Sequence, residues 1–585
     1  GASSTECAPA PVVNLKEGPE ACRCMQLGVP SGITQTCELV RAPGVELLRP
    51  AREITEQLNP NAIHQLCVLA TMKHISELID IHDEGDDMEW DEDPYDNLSQ
   101  TVEKSAEERI ALITFDNANP DFAKSMRELC VEFEDIFRET VHPEPAAIPP
   151  MEIDVDIQKW HSAKAGVGPR KQSTVRGTVI REHIQNNLAC NVIKTVDTDV
   201  THYSQVHLVP KPTAGQWRLV LDYVRLNACT RGKEGWPIPN IKELIQRVGS
   251  KRPNVYGTMD LTAGYHQAPL AKSAQIYTAF VTMQGIFCWQ RVPMGLKGAG
   301  AYYQRVMASV VLLGWIYSIC ELYLDDVLIF AKTNEEFLSH LRRVFERFRK
   351  HKLAVNPKKC FFGFAEIEYV GHTFSSEGVS YSETKKGKVL DFPLPHTHKQ
   401  LKSFLGLVNW FRDSVRGIAE ICRPLHAIIG KYQKGVRKSI QWTSELEALF
   451  YEVQEAVANC PTLYFVDPNA QIIVLTDASK YGYGAYILQM IDEKEHPILF
   501  LSKSFTGAQL KWSVNEKEAY AIVYTLTNNE HLLRDAKFLL KTDHKNLTYL
   551  NTESANEKVQ RWRFMVQKFN FDIEHIPVES NLVAD

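Results

Sequence analysis

Asp325 and Asp326 stand side by side in a run of large apolar residues, Tyr323-Leu324-Asp325-Asp326-Val327-Leu328-Ile329-Phe330. Two carboxylates held away from water repel each other and lose hydration, and cations or hydrogen-bond donors relieve both costs. On these residues alone the pair is either a divalent-cation site facing a cleft or an Asp-rich turn in water. Asp260 lies upstream in MDLTAGYHQAPL (259–270), and RVPMGLKGAGAYYQRVM (291–307) lies between the two. A second acidic set follows. Asp477 interrupts the apolar residues of IIVLTDASKYGYGAYILQ (472–489), Glu518 falls in NEKEAYAIVYTL (515–526), Asp543 in FLLKTDH (538–544), and His575 and Asp585 stand ten residues apart. Hard divalent cations prefer carboxylate oxygens and keep water and phosphate in their shells.

The elements that must carry these groups are legible from periodicity. Residues 255–260 read as a strand ending in Asp260, and 321–331 as two apolar strands around the two-Asp tip. Residues 206–210 and 217–223 read as strands joined by the turn-like KPTAGQ. Helical spacing predicts helices over 121–139, 298–315, 334–352, 398–413 and 444–458. The second of these leads into a strand. From Ile472 onward the pattern is strand, Gly-rich turn, strand, helix, strand, helix, strand. Phe404, Leu405, Leu407 and Trp410 read as core, and Lys399, Lys402 and Arg412 as either a polyanion track or solvated charge. The Pro-rich stretch 142–150 marks a boundary.

Composition bounds the class. The chain has 585 residues, 44% hydrophobic and 23% charged, which suits globular protein with about four folded units. The longest uncharged apolar stretch, Val306 to Cys320, is short of the ~20 residues that span a bilayer. Gly1 opens the chain with no signal peptide after it, so a fragment or processed product is expected. Thirteen scattered cysteines with no CxxC support neither a zinc site nor a disulfide framework, and a reducing compartment is expected. The net charge of −7 hides an asymmetry: residues 1–145 carry 11 Lys/Arg against 29 Asp/Glu, and the remainder carries 54 against 43. A basic C-terminal portion suits a binder of phosphate backbones, and equally a solvated surface. Eleven of the N-terminal acids fall between Glu77 and Asp96 with no Lys or Arg among them, as in a self-repelling linker.

The order of the first set of segments is similar to motifs A, B and C of reverse transcriptases, with YLDD as the signature hairpin. The second set resembles the RNase H domain of gypsy-type LTR retrotransposon Pol polyproteins. The resemblance covers roughly 120–585. It implies an α+β right-hand polymerase (fingers, palm, thumb) followed by an α/β RNase H-like domain. The expected divisions are 1–110 poorly defined, 111–145 a helical lead-in, 146–375 fingers and palm, 376–465 thumb and connection, and 466–585 RNase H. The implied activities are RNA- and DNA-directed DNA synthesis and hydrolysis of RNA in RNA–DNA hybrids. Two Mg²⁺ per active site are implied, with Mn²⁺ as a substitute, held by Asp260, Asp325 and Asp326 in one site and by Asp477, Glu518, Asp543 and Asp585 in the other. His575 matches a histidine that assists product release.

Carried over in the same way, Lys211 and Arg218 match residues that grip the triphosphate, and Tyr265 the ring that excludes a ribose 2′ hydroxyl. Met294 stands where relatives carry Phe or Gln beside the incoming nucleotide, and Val370-Gly371 lies in the segment that positions the primer end. Without the resemblance these are surface charges, a core Tyr and a turn Gly. The chain departs from the family at Val224, where Arg is usual, and at Gly298 and Gly300, where Asn and Pro are frequent. Implied partners are RNA template, DNA primer, RNA–DNA hybrid, dNTPs and other parts of the same polyprotein (protease, integrase), with no membrane. The implied setting is intracellular, in a cytoplasmic virus-like particle, and not secreted. No DTG or DSG occurs, so no complete protease is expected. The rival readings are a degenerate or domesticated element that binds nucleic acid without catalysis, and a pararetroviral polymerase.

Overall fold

The computed structural model describes residues 37–42, 45–50, 104–163, 168–196, 200, 202–210, 217–232, 235–430, 439–543 and 557–577. The chain forms two units, 1–102 and 103–585. In the first, strands Cys37–Ala42 and Val45–Pro50 pair as an antiparallel hairpin with Ala42 opposite Val45. The acidic run 77–96 lies outside the described residues.

In the second unit, the sheet carrying the first acidic set has the order Cys320–Tyr323, Asp326–Ala331, Val255–Asp260, Phe361–Phe364, Thr114–Phe115. Its first four strands pair antiparallel and the last joins parallel. Val327, Leu328, Ile329 and Phe330 are buried on both faces, which explains their unbroken apolar run. Helix Asn334–Lys350 covers one face through Phe337, Leu341, Val344, Phe345 and Phe348. Thr333 caps its start, acids fill the first turn and Arg347, Arg349 and Lys350 the last, each charge opposing the helix dipole. The helix read over 121–139 is shorter: Pro120–Glu132, then a tight turn Glu134–Ile136. That turn swings Phe137 edge-on against Phe345, with ring centroids 5.4 Å apart. Residues 106–137 thus pack into the core of this sheet, including the capped helix Ala106–Ile110.

A second five-stranded sheet, ordered Ile193–Thr195, Gly285–Trp289, Phe280–Thr282, Ser204–Pro210, Trp217–Leu221, sits beside the first. Arg291, 1% exposed, ties the regions together by donating to the carbonyls of Pro143, Cys190 and His266. The helix read over 298–315 is Ala299–Val306 continued by a wide turn Met307–Val311. A four-stranded sheet follows, Ile367–Tyr369, His372–Phe374, Gly378–Tyr381 and Leu463–Tyr464. Between its last two strands run helices His398–Val408, Ile418–Gly430 and Ser444–Ala458, packed around Phe404, Leu405, Leu425 and Phe450. Trp410 differs from its core reading. It is 39% exposed and lies under the Lys385 ammonium.

The last sheet is ordered Lys494–Ser504, Gly482–Ile491, Ile472–Ala478, Lys537–Thr542, Asn570–His575, three antiparallel strands and then two parallel ones. Helix Val514–Asn528, started by the Ser513/Glu516 capping box, buries Ala519, Ile522, Val523 and Leu526 against it. Among the described residues no helix is long and apolar enough to cross a membrane.

One buried ion pair fixes the acidic hairpin from behind. Glu321, fully buried on Cys320–Tyr323, receives two hydrogen bonds from Arg247 of helix Ile241–Ser250, at 2.9 and 3.0 Å. Burial raises the Glu321 pKa and the guanidinium opposes the rise. Removing one partner of such a pair strands the other. Arg247→Ala is expected to cost about 3 kcal/mol in urea unfolding, and Glu321→Gln less, since the amide needs no counter-charge.

Candidate functional site

The first acidic set forms where two strand ends meet. Asp260 closes its strand directly opposite Asp326 in the ladder, and Asp325 occupies the tip between Tyr323 and Asp326. Turning in two residues forces Leu324 to φ +59°, a left-handed conformation that a branched residue adopts only when held. Gln304 does the holding. Fully buried, it accepts from Leu324 N–H at 2.8 Å and donates to the Leu322 carbonyl at 3.2 Å. Tyr369 Oη donates to the Asp326 carbonyl, and Leu261 N–H to that of Asp325. Gly264 lets the chain after Asp260 pass close by, for a Cβ there would lie 3.2 Å from Asp325 Cβ and 3.0 Å from Tyr303 Oη.

Burial and charge crowding act together on these acids. Burial first, then Asp325 and Asp260, push the Asp326 pKa up to about 6, while Lys359 pulls it down. Burial raises Asp260 against the opposing pull of Lys359. The Lys359 ammonium lies 3.0 Å from Asp260 Oδ2 and supplies part of the positive charge the cluster needs.

The residues matched to substrate roles lie on several elements. Tyr265 is half-buried, packs against Tyr303 at 5.2 Å, and would touch a Cβ at Gly300 with its hydroxyl. Arg218 is exposed on Trp217–Leu221, whereas Lys211 lies outside the described residues. Met294 is 42% exposed on the loop before the helix that carries Gln304. Val370 and Gly371 form a left-handed turn, φ +50° and +77°. A Cβ at Gly371 would meet Lys385 and then Trp410, so residues from beyond the four-stranded sheet's third strand stand against that turn. Val224, at a position where the family usually has Arg, is exposed. Asn227 braces the loop that follows Met294, donating to the Gly295 carbonyl and accepting from Lys297 N–H.

The second acidic set is more tightly gathered. Asp477, Glu518 and Asp543 each offer an oxygen within 4.8 Å of the others, the first two buried. Parallel pairing of Ile472–Ala478 with Lys537–Thr542 sets Thr476 level with Thr542, which brings the next residues, Asp477 and Asp543, to one sheet edge. Glu518 comes from the overlying helix. An all-carboxylate set this close fits a hard divalent cation in its donor chemistry. His575 reaches the same edge, its Nε2 3.0 Å from the Asp543 carbonyl. Asp585 lies outside the described residues.

Sequence reasoning missed Gln304, Lys359 and the outward Trp410. Gln304 left a faint signal as one amide on an otherwise apolar helix face. Lys359 left none, because its contact with Asp260 spans 99 residues.

With this geometry in view, the comparisons are specific. Residues 209–374 match the family described as "Reverse transcriptase (RNA-dependent DNA polymerase)", and residues 467–569 match "RNase H-like domain found in reverse transcriptase". The Pol polyprotein from transposon 297 of Drosophila melanogaster is 29% identical over 411 residues, 69% of this chain and 38% of that protein. The transposon Tf2-3 polyprotein of Schizosaccharomyces pombe is 28% identical over 464 residues, 78% of this chain and 34% of that protein. Among solved structures, the foamy viral protease-reverse transcriptase in complex with RNA/DNA hybrid superposes with a TM-score of 0.66 at 23% identity, over 82% of this chain and 64% of that one. The same protein in complex with dsDNA gives 0.67 at 23%, over 82% and 99%. The chain carries a reverse transcriptase domain followed by an RNase H-like domain, in the right-hand fold expected from its motifs. Its relatives include Pol polyproteins of LTR retrotransposons, consistent with the gypsy-type motifs, and the chain spans about a third of the length of those relatives.

Because the folded Asp326 pKa, about 6, lies above the ~3.9 of an unfolded chain, the folded form holds the extra proton and gains stability as pH falls from about 7 toward 4. In chelating buffer at pH 7.5, Asp326→Asn is therefore expected to unfold at a higher temperature than the parent, with the gap narrowing at pH 5. An equal gap at both pH values would remove charge repulsion as the cause.

Proposed function

We propose that this chain copies RNA and DNA templates into DNA and hydrolyses the RNA strand of RNA–DNA hybrids, using two separate carboxylate sites. The observation that carries the reading is the pairing of a strained, braced YLDD hairpin opposite Asp260 with a distinct three-carboxylate cluster in the RNase H-like domain. Asp260, Asp325 and Asp326 would hold divalent cations in the first site. Asp477, Glu518, Asp543 and Asp585 would do so in the second. Bound there, Mg²⁺ or Mn²⁺ would acidify the attacking hydroxyl or water and offset the charge that develops on phosphate. The side chains do the rest. Tyr265, fixed by Tyr303 and Gly300, blocks a ribose 2′ hydroxyl. Lys211 and Arg218 attract the triphosphate of a dNTP, Met294 borders the nucleotide, and the Val370-Gly371 turn seats the primer end. His575 stands beside Asp543 to help release the cut strand.

The same reading divides the chain as expected: fingers and palm over 146–375, thumb and connection over 376–465, RNase H over 466–585. It places the chain beside protease and integrase parts of one polyprotein in a cytoplasmic virus-like particle. The relatives' Pol polyprotein names support the polyprotein part of that reading.

Primer extension on RNA and cleavage of labelled hybrid, followed in the same tubes, test the proposal. Asp325→Asn is expected to lose extension by about 100- to 1000-fold and keep cleavage, and Asp477→Asn the reverse. Tight hybrid binding with neither activity in the parent would instead favour a degenerate element.

A further inference from the structure

Asp260 is backed by a segment that lies well ahead of the 209–374 reverse transcriptase match. Residues 136–139 run beside the chain that follows helix Asn334–Lys350. Val355 is bridged on one side by Phe137, in parallel, and on the other by Leu261, antiparallel. Val355 N–H donates to the Ile136 carbonyl at 2.7 Å, and Arg138 N–H to the Val355 carbonyl at 3.0 Å. Buried Thr262 closes the arrangement, its Oγ1 donating to the Arg138 carbonyl at 2.6 Å. The lead-in is thus bonded to the residue next but one after Asp260.

The turn that follows Val355 carries two adjacent lysines with different partners. Asn356 N–H donates to the carbonyl of Asp260 itself at 2.9 Å, and Asn356 Oδ1 accepts from Lys358 N–H to start the tight turn Pro357–Lys359. From that turn the Lys359 ammonium reaches Asp260 Oδ2, while the Lys358 ammonium pairs with Glu139. The second oxygen of Glu139 takes Lys104 at 2.7 Å. Hydrogen bonds from Lys104 and then Lys358 hold the Glu139 pKa below its ordinary value. Neighbouring ammoniums repel, and an acidic cluster attracts both. Glu139 takes up Lys358 and leaves Lys359 to face Asp260. Both pairs are partly exposed, so each is weak by itself. Their leverage comes from the turn, because a shift there moves the counter-charge and the Asp260 carbonyl together.

We propose that Glu139 is a positioning residue for the polymerase site: it holds Lys358 and, through the Pro357–Lys359 turn, aims Lys359 at Asp260. Lys359 then serves as a resident counter-cation. Its ammonium and a divalent cation are drawn to the same carboxylate, so Lys359 gives way as Asp260 takes up the ion. How well Lys359 is aimed sets how hard it competes. The cation affinity of the site is thereby set in part by a residue outside the reverse transcriptase match.

The positioning role presupposes the proposed cation site at Asp260, and one experiment tells the two apart. Free Mn²⁺ is followed by electron paramagnetic resonance as the full chain is titrated in an Asp477→Asn background. The binding lost on adding Asp325→Asn is assigned to the polymerase site. Lys359→Ala is expected to tighten that binding about fivefold, and Glu139→Gln and Lys358→Ala about threefold each. These last two variants change the local charge in opposite senses, so a field effect alone would move them in opposite directions. Added to Lys359→Ala, Glu139→Gln should change nothing further, because it acts only through that ammonium. Shifts of opposite sign, looser binding in both variants, shifts under about 1.5-fold, or full additivity with Lys359→Ala overturn the positioning role. Mn²⁺ binding that Asp325→Asn leaves unchanged removes the cation site on which that role depends.

Discussion

Mutual repulsion among carboxylates at strand ends is the constraint around which this structure is arranged. Asp260 and Asp326 face each other across a ladder, Asp325 adjoins both, and burial makes every charge dearer. The surrounding chain answers in kind. A fully buried amide, Gln304, pins the left-handed Leu324, Tyr369 and Leu261 satisfy the carbonyls of the acids, and Lys359 lends a positive charge. None of these groups fully neutralises the cluster, so its carboxylates stay crowded while the backbone is kept from relaxing.

The second cluster reaches a similar chemistry by a different route. Among the described residues no tip beside those acids is left-handed. Parallel neighbours bring Asp477 and Asp543 level, and a helix supplies Glu518 from above. One site thus depends on a held hairpin and the other on strand register. Their failures should differ accordingly: small packing changes behind the YLDD turn threaten the first, whereas the second survives unless the sheet slips.

Much of this was legible because the signals are local. The unbroken apolar run around Asp325-Asp326 announces a doubly covered hairpin, and Phe337 through Phe348 a covering helix. What sequence could not supply are contacts that only folding creates. Lys359 finds Asp260 from far along the chain, and Arg412, in the segment ahead of helix Ile418–Gly430, donates to the Ser502 carbonyl. Trp410 has the hydrophobicity of a core residue, yet it stands outward beneath Lys385 and against the Gly371 turn. The helix read to 315 ends at Val306 and runs on only as a wide turn to Val311, and the helix read to 139 breaks at Phe133 so that Phe137 can enter the core. In both cases periodicity continues past the true end because tertiary burial, not the helix, demands the next apolar residue.

The edge strand Thr114–Phe115 and the helix after it complete a core whose other half is encoded much later. Asp135 meets Arg349 across 214 residues of sequence, and Phe115 pairs with Phe362 in a parallel ladder. At ribosomal speeds of about 5–20 residues per second, Phe122, Phe133 and Phe137 wait roughly 10 to 40 seconds for their partners to be made. During synthesis this segment is therefore an exposed hydrophobic stretch in need of shelter, and the polymerase core closes only when its middle third has emerged.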